Sequence, residues 1–213
     1  MPAKLAVEVW SDIICPWCAI GHHRLDAALK AFAHGADVEV VWRAFELDPS
    51  APAVREGDHA GQLAEKYRRT RPQAEEMIRQ VTEIAAKDGL SLQLLRARAG
   101  NTFDGHRLLH LAAERGKQGA LRERLFRAYM AEGEPIGDPA TLVRLASEAG
   151  LEAAEVRAVL EGDRYAAEVR SDEAKARSLG IQGVPFFLLG GQLAVPGAQP
   201  VETLVHALEE AWS

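Results

Sequence analysis

The fold is decided by Leu5-Ala6-Val7-Glu8-Val9-Trp10-Ser11-Asp12-Ile13-Ile14-Cys15-Pro16-Trp17-Cys18. The beginning of this stretch alternates loosely and is rich in β-forming residues, which predicts a strand. From Pro16 to about Phe32 apolar residues recur near helical spacing, and Gly35 is a plausible end of that helix. Residues 38–43 predict a second strand. A strand, a helix and a strand in this order indicate a parallel pair with a right-handed crossover.

The chain has two cysteines, and both lie where the first predicted strand gives way to the helix. Residues i and i+3 of a helix have Cβ atoms about 5–6 Å apart, which is close to the separation that a disulfide needs. A helix start favours a thiolate, so we expect a depressed pKa and an exposed nucleophile at Cys15. Cys18, one turn further in, should be more buried and suited to resolve a mixed disulfide. Trp17 should be partly exposed, as a residue that contacts a partner would be.

Two other interpretations of the cysteine pair stay open. Cys15, Cys18 and His22 could share one helix face and hold zinc, but the sequence offers no second Cys-x-x-Cys and a closed structural site needs four ligands. The two cysteines could also be inert structural residues, which the helix start disfavours. His22 and His23 are otherwise expected to be exposed helix residues. We therefore favour a redox pair and predict no metal site.

Composition narrows the class of protein. A formal net charge of −6 argues against nucleic acid as a partner, because phosphate binding needs a concentrated basic face. The 47% of hydrophobic residues is ample for a packed core. We find neither a signal peptide nor an apolar run long enough to span a membrane, which predicts a soluble, cytoplasmic protein. A structural disulfide is not expected in that compartment.

The order of predicted elements indicates one α/β domain interrupted by helices. The pattern is helical from about residue 62 to residue 160, and Asp138-Pro139 is typical of a helix start. Strands return at 184–189 and 192–195, joined by a Gly190-Gly191 hairpin turn, before a terminal helix at 200–212. The predicted fold class is α/β: one domain in two parts, 1–50 and 164–213, and a helical insertion domain over 51–163.

Several motifs together carry a family resemblance that covers essentially the whole chain in order. They are residues 11–18 with Gly21, Phe45-Glu46-Leu47-Asp48-Pro49, Asn101-Thr102-Phe103-Asp104-Gly105-His106-Arg107, Gly180-Ile181-Gln182-Gly183-Val184-Pro185-Phe186-Phe187 and Gly197-Ala198-Gln199-Pro200. The chain resembles the DsbA-like branch of the thioredoxin superfamily, and within it the FrnE-like cytoplasmic oxidoreductases.

The resemblance implies a thioredoxin fold with a large all-helical insertion, and it assigns roles at the site. An isolated X-Pro bond is usually trans, but the resemblance implies that the Val184-Pro185 bond is cis and that Pro185 lies beside the cysteines. The Val184 backbone would pair with an extended substrate segment. Cys15 would attack and Cys18 would resolve. Phe103 and His106 are candidate substrate-binding residues. The simpler interpretation of Phe103 is a residue of the core or of the groove wall, and that of His106 is a histidine whose ring fills the domain interface.

Three positions depart from the family pattern. Ala19 and Phe186 stand where relatives often carry Tyr and Thr. Val9 stands six residues before Cys15, where thioredoxins carry a buried acid. Deprotonation of Cys18 must therefore rely on another group.

These observations predict an enzyme, a thiol–disulfide oxidoreductase acting on a peptide or small-molecule thiol or disulfide. No bound cofactor is expected, glutathione is a candidate redox partner, and a homodimer is a candidate assembly. The alternative is a glutathione-dependent isomerase or transferase of the kappa-class or 2-hydroxychromene-2-carboxylate isomerase type. Those proteins typically have Ser at the place of Cys15 and, in the kappa class, a Ser-Asp pair where this chain has Ala198-Gln199. A zinc-holding or chaperone-like binder is a third hypothesis.

Overall fold

The computed structural model describes residues 5–213. Residues 1–4, which the sequence analysis assigns to the first part of the thioredoxin-like domain, lie outside the described residues. The strands are β1 (Leu5–Ser11), β2 (Val38–Ala44), β3 (Phe186–Leu189) and β4 (Leu193–Pro196). The helices are α1 (Pro16–Ala31), α2 (His59–Tyr67), α3 (Arg71–Lys87), α4 (Phe103–Glu114), α5 (Gln118–Arg127), α6 (Pro139–Glu148), α7 (Ala153–Glu161), α8 (Ala166–Ser178) and α9 (Val201–Trp212).

The described chain divides into two compact units. One unit is formed by the chain up to Leu47 together with Ser171–Ser213, and the other by Asp48–Arg170. The sequence predicts the corresponding insertion at 51–163. Within residues 5–213 no helix combines the length and the apolar character that crossing a bilayer requires.

The first unit is built on a mixed sheet, which in residues 5–213 has the strand order β2-β1-β3-β4. β1 and β2 are parallel, as the strand-helix-strand pattern predicts, and Ser11 pairs with Ala44 at their carboxyl ends. β3 runs antiparallel to both β1 and β4. The predicted hairpin turn is confirmed, because Gly190 and Gly191 both have positive φ, at 58° and 72°.

One face of the sheet is covered by α1 and α9. Val7 and Val9 of β1 point to this face and are completely buried with Phe187 of β3. Leu25 of α1 and Leu208 of α9 contact them from the helices. The alternation of β1 places Glu8 and Trp10 on the opposite face.

The opposite face packs against α8. Trp10, Leu188, Ala176 and Ile181 form a second core cluster. Asp172 of α8 is buried and fixes the helix to β2, because its carboxylate accepts hydrogen bonds from the Ala44 backbone N–H and the Arg43 guanidinium, each at 3.0 Å. The carbonyl of Asp172 also accepts from Trp10 Nε1 at 3.1 Å.

The second unit contains α2 to α7, with a π-helical turn at Ala128–Glu132 after α5. The predicted start of α6 is confirmed, since the Asp138 carboxylate accepts from the Thr141 N–H at 2.8 Å and Pro139 occupies the first turn. Arg107 of α4 is buried, and its guanidinium donates to the carbonyls of Gly162 at 2.6 Å and Arg164 at 2.9 Å. Arg107 therefore ties α4 to the chain between α7 and α8.

The predicted end of α1 at about Phe32 is confirmed, but the predicted role of Gly35 as its cap is wrong. Ala31 is the last helical residue, and the capping residue is Phe32, whose N–H donates to the Ala28 carbonyl at 2.9 Å. Gly35 opens a short 3-10 turn instead, and a Cβ atom there would stand 1.9 Å from the Leu29 carbonyl oxygen. Gly35 is needed for this close approach rather than for a left-handed cap.

Candidate active site

The two cysteines lie where α1 leaves the carboxyl end of β1. Cys15 is the residue that precedes the first helical turn and has an extended backbone, with φ −90° and ψ 111°. Pro16 occupies the first helical position, where its missing N–H leaves no partner unsatisfied. The carbonyl of Cys15 accepts from the N–H of Cys18 at 3.0 Å, which places the second cysteine one turn into the helix.

Both cysteines are free thiols and both are buried. Cys18 is completely buried, as the sequence predicts, but the prediction of an exposed Cys15 is wrong, since only 5% of this residue is accessible. The Cys15 thiol points towards the loop that precedes β3, and it donates to the Val184 carbonyl at 3.5 Å. Trp17 lies between the cysteines in sequence and is 42% exposed, in agreement with the sequence prediction.

The environment of Cys18 favours the protonated thiol. Burial raises the pKa of Cys18 well above its ordinary value, and the neighbouring Cys15 raises it further. Hydrogen bonds from the Asp12 N–H, at 3.5 Å from Cys18 Sγ, and from the Ser11 side chain oppose this shift. Ser11 is the last residue of β1 and Asp12 follows it directly, so the end of the strand and the residue after it supply these polar contacts.

Val184 and Pro185 form the other side of the site. Their peptide bond is cis, as the family resemblance implies. The Pro185 carbonyl accepts from the N–H of Gly197 at 2.8 Å, and the Ala198 carbonyl accepts from Arg24 of α1 at 2.7 Å. The loop after β4 is therefore held both to the proline and to the helix that carries the cysteines.

The three departures from the family pattern each have a definite place. Ala19 and Val9 are buried, Val9 completely, so the usual position of a buried acid is occupied by an apolar core residue. Phe186 is half-buried and its ring meets that of Trp10 edge-on at 6.2 Å between centroids.

The prediction that His22 is exposed is also wrong. His22 is 4% exposed, and its ring lies 4.2 Å from the ring of Trp42 on β2, whereas His23 is exposed as expected. His22 is buried because it lies on the face of α1 that packs against the sheet. Across residues 5–213 no group of three or more His, Cys, Asp and Glu side chains is arranged to hold a metal ion.

Phe103 and His106 belong to the second unit. The Arg170 guanidinium lies over the ring of Phe103, with its Cζ atom 4.2 Å from the ring centroid. The backbone N–H of Phe103 donates to the Asn101 side chain at 2.9 Å. His106 is buried in the first turns of α4. Their role as substrate-binding residues stays a prediction.

The sequence assigns no role to two residues of the site. Asp12 is buried beside Cys18, and Gly21 lies against Pro185. Both occur in the quoted motif, but their contacts are with Leu47 and Pro185, which are distant in sequence. Only the motif resemblance could have indicated them.

Comparisons with known proteins agree with this geometry. The family model of the DSBA-like thioredoxin domain matches residues 6–209. A probable DsbA oxidoreductase from Streptomyces coelicolor is 45% identical, with a TM-score of 0.94 over 98% of this chain and 90% of that one. The protein YwbO of Bacillus subtilis is 29% identical over 210 residues, 96% of each chain. The cytosolic disulfide reductase DsbM of Pseudomonas aeruginosa shares the fold at 17% identity, with a TM-score of 0.60 over 97% of this chain and 95% of that one. The chain belongs to the DSBA-like thioredoxin domain family.

Proposed function

We propose that this protein is an enzyme, a thiol–disulfide oxidoreductase in which Cys15 attacks and Cys18 resolves. The observation that carries the proposal is the pair of free thiols at the start of α1, with Cys15 Sγ at 3.5 Å from the Val184 carbonyl. An inert structural pair would have no need of a helix start or of a neighbouring strand end that can receive a substrate.

In the reducing direction the reaction has two exchange steps. The Cys15 thiolate attacks one sulfur of the substrate disulfide, forms a mixed disulfide and releases the first substrate thiolate, which takes up a proton. The Cys18 thiolate then attacks Cys15 Sγ, closes the Cys15–Cys18 disulfide and releases the second substrate thiolate. The substrate gains two electrons and two protons, and the cysteine pair loses them. The reverse sequence oxidises a dithiol.

The proposed substrate is a cysteine-containing peptide segment or a small disulfide. The backbone of Val184 would pair with an extended segment on one side of the cysteines. The exposed Trp17 ring would contact apolar groups next to the reacting sulfur. Phe103 and His106 are proposed as further substrate contacts from the second unit.

Exchange of Cys15 for Ser tests the proposal. We expect Cys15→Ser to abolish disulfide reductase activity, while Cys18→Ser accumulates a mixed disulfide that mass spectrometry detects. Circular dichroism should show that both variants are folded, since each change replaces one atom. Full reductase activity in Cys15→Ser would refute the proposal.

Glutathione is the proposed redox partner, with no resident cofactor. The disulfide reductase DsbM has been solved with glutathione, and it shares this fold. Titration of the wild-type pair against a glutathione buffer gives its reduction potential and the direction in which it works. A pair that stays reduced at every ratio of thiol to disulfide would contradict a redox role.

The same experiments separate the alternatives left open by the sequence. Tight glutathione binding with isomerase turnover by Cys15→Ser would favour the isomerase or transferase type. The cytoplasmic location, the FrnE-like subfamily and a homodimer remain parts of the proposal. Cell fractionation and sedimentation test the first and the last, and a secreted or strictly monomeric protein would contradict them.

A further inference from the structure

The side chain of Asp12 is fixed within the first unit. Asp12 follows β1 directly, is completely buried, and its carboxylate accepts from the backbone N–H of Leu47 at 2.7 Å. Leu47 lies just beyond β2, whose end at Ala44 pairs with Ser11. The carboxylate therefore links the two chain segments that leave the carboxyl ends of the parallel strands.

The main chain of the same residue holds both cysteines. The Asp12 carbonyl accepts from the Cys15 N–H at 3.1 Å, which shapes the turn that leads into α1. The Asp12 N–H donates to Cys18 Sγ at 3.5 Å. A movement of this one peptide segment would thus change the position of Cys15 and the hydrogen bonding of Cys18 together.

These contacts matter because Cys18 is buried without an acid at the usual place. The apolar Val9 occupies that position. A buried thiolate is stabilised by hydrogen-bond donors aimed at its sulfur. The donors beside Cys18 include the Asp12 N–H and the Ser11 side chain, and the titratable groups near it include Cys15, Asp12 and, one turn along α1, His22.

We propose that Asp12 is a positioning residue: its carboxylate, held by Leu47, keeps its own main chain in place to direct a hydrogen bond at the Cys18 thiolate and to orient Cys15. The inference deepens the proposed function, because a thiolate at Cys18 is what resolves the mixed disulfide. It differs from a charge effect, since the anchoring contact needs only an acceptor atom that reaches Leu47.

Two substitutions separate anchoring from charge. Asp12→Asn removes the negative charge but keeps an oxygen that can accept from Leu47, and Asp12→Ala removes both. Both are made in a Cys15→Ser chain, where Cys18 is the last remaining thiol, because the sequence contains two cysteines. The pH profile of alkylation by iodoacetamide then reports the ionisation of Cys18 alone, without any disulfide exchange.

The expected result is a midpoint about one pH unit higher in Asp12→Ala than in Asp12→Asn, equivalent to a roughly tenfold lower acid dissociation constant, the size of one hydrogen bond to a charged group. Coincident midpoints, or a lower midpoint in Asp12→Ala, would overturn the inference. If Asp12→Ala does not fold, Asp12→Ser takes its place, because its shorter side chain does not extend as far towards Leu47.

A matched control comes from Asp172. This carboxylate is also buried and also accepts from a backbone N–H, that of Ala44, but it has no contact with either cysteine among those described above. Asp172→Ala in the Cys15→Ser chain should lower stability and leave the Cys18 profile unchanged. A shift as large as that of Asp12→Ala would show a general loosening of the unit and overturn the inference. Failure of the wild-type protein to exchange disulfides would instead refute the proposed function and leave this comparison intact.

Discussion

Gly21 of α1 lies directly against Pro185. A Cβ atom added at Gly21 would stand 2.8 Å from Pro185 Cγ and 3.3 Å from Phe187 Cζ. Non-bonded carbon atoms prefer separations of about 3.5–4.0 Å. The helix that carries the cysteines can therefore approach the Val184-Pro185 segment this closely because residue 21 has no side chain.

Gly21→Ala should impair both stability and disulfide exchange. The added methyl group forces α1 and the proline ring apart, which costs about 1–3 kcal/mol for an overpacked site. Separation of Cys15 from Val184 should lower kcat/KM for a peptide disulfide at least severalfold. Urea unfolding and a reductase assay measure the two effects.

The control for this prediction is Gly119→Ala. Gly119 lies in the first turn of α5, and apart from its chain neighbours and its own helix backbone no atom of residues 5–213 stands within 4 Å of a Cβ added there. Alanine is the better helix former, so this variant should be neutral or slightly more stable. A wild-type rate in Gly21→Ala would show that the close approach has no part in the reaction.

The resolving step should accelerate as pH rises. Burial, and then the neighbouring Cys15, raise the pKa of Cys18, and the burial persists when Cys15 is tied in a mixed disulfide. Below that raised pKa the thiolate fraction, and with it the rate of resolution, should grow about tenfold per pH unit. Rapid-quench measurement of the mixed disulfide between pH 6 and 9 tests this. In the Cys18→Ser control the mixed disulfide should persist at every pH. A resolution rate that does not depend on pH in the wild type would contradict the prediction.

Local patterns were sufficient for much of the fold and for the cysteine pair. The helix start at Cys15-Pro16, the hairpin at Gly190-Gly191 and the cap at Asp138 follow from backbone preferences that act over a few residues. The cis bond before Pro185 required the family resemblance, because the local preference points the other way.

What the sequence could not show depends on contacts between distant segments. The sequence predicts an exposed Cys15, but this residue is covered and its thiol lies at the Val184 carbonyl, a contact across 169 residues. The sequence also predicts an exposed His22, but the His22 ring faces Trp42. The link from Asp12 to Leu47 likewise forms only when β1 and β2 pair in parallel. Spacing along one helix does not determine which of its faces the sheet will cover.

Trp17→Ala should weaken recognition of peptides more than stability. The residue is 42% exposed, so its removal should lower the free energy of unfolding by less than the about 3–5 kcal/mol typical of a fully buried tryptophan. A peptide disulfide with apolar flanking residues should lose severalfold in kcat/KM, while hydroxyethyl disulfide, which has no flanking residues, should react almost normally. Leu95→Ala, which removes an exposed leucine outside the motifs, is the control. Equal losses for both substrates would show that Trp17 acts on the cysteines and not on the peptide.

Glu8→Gln should make the protein less stable at neutral pH but not in acid. Glu8 accepts from Arg43 Nη2 at 2.6 Å and from Lys175 Nζ at 2.6 Å. Burial raises the pKa of Glu8, but the hydrogen bonds from Lys175 and Arg43 outweigh it and hold the pKa below its ordinary value of 4.5. A carboxyl group with a lowered pKa in the folded state contributes stability above its unfolded pKa, and that stability is lost as pH falls through the folded pKa.

Wild type should therefore exceed Glu8→Gln by about 1 kcal/mol at pH 7, the size of a partly exposed charged hydrogen bond. The difference should shrink from about pH 5 downwards as the unfolded chain begins to bind the proton. Urea unfolding at a series of pH values measures it. Glu76→Gln is the control, because Glu76 is bound by Arg79 on the exposed surface of α3 and its loss should change stability little at any pH. If the difference in the free energy of unfolding between wild type and Glu8→Gln stays constant into acid, the destabilisation comes from altered packing on this face of the sheet and not from the lost charge.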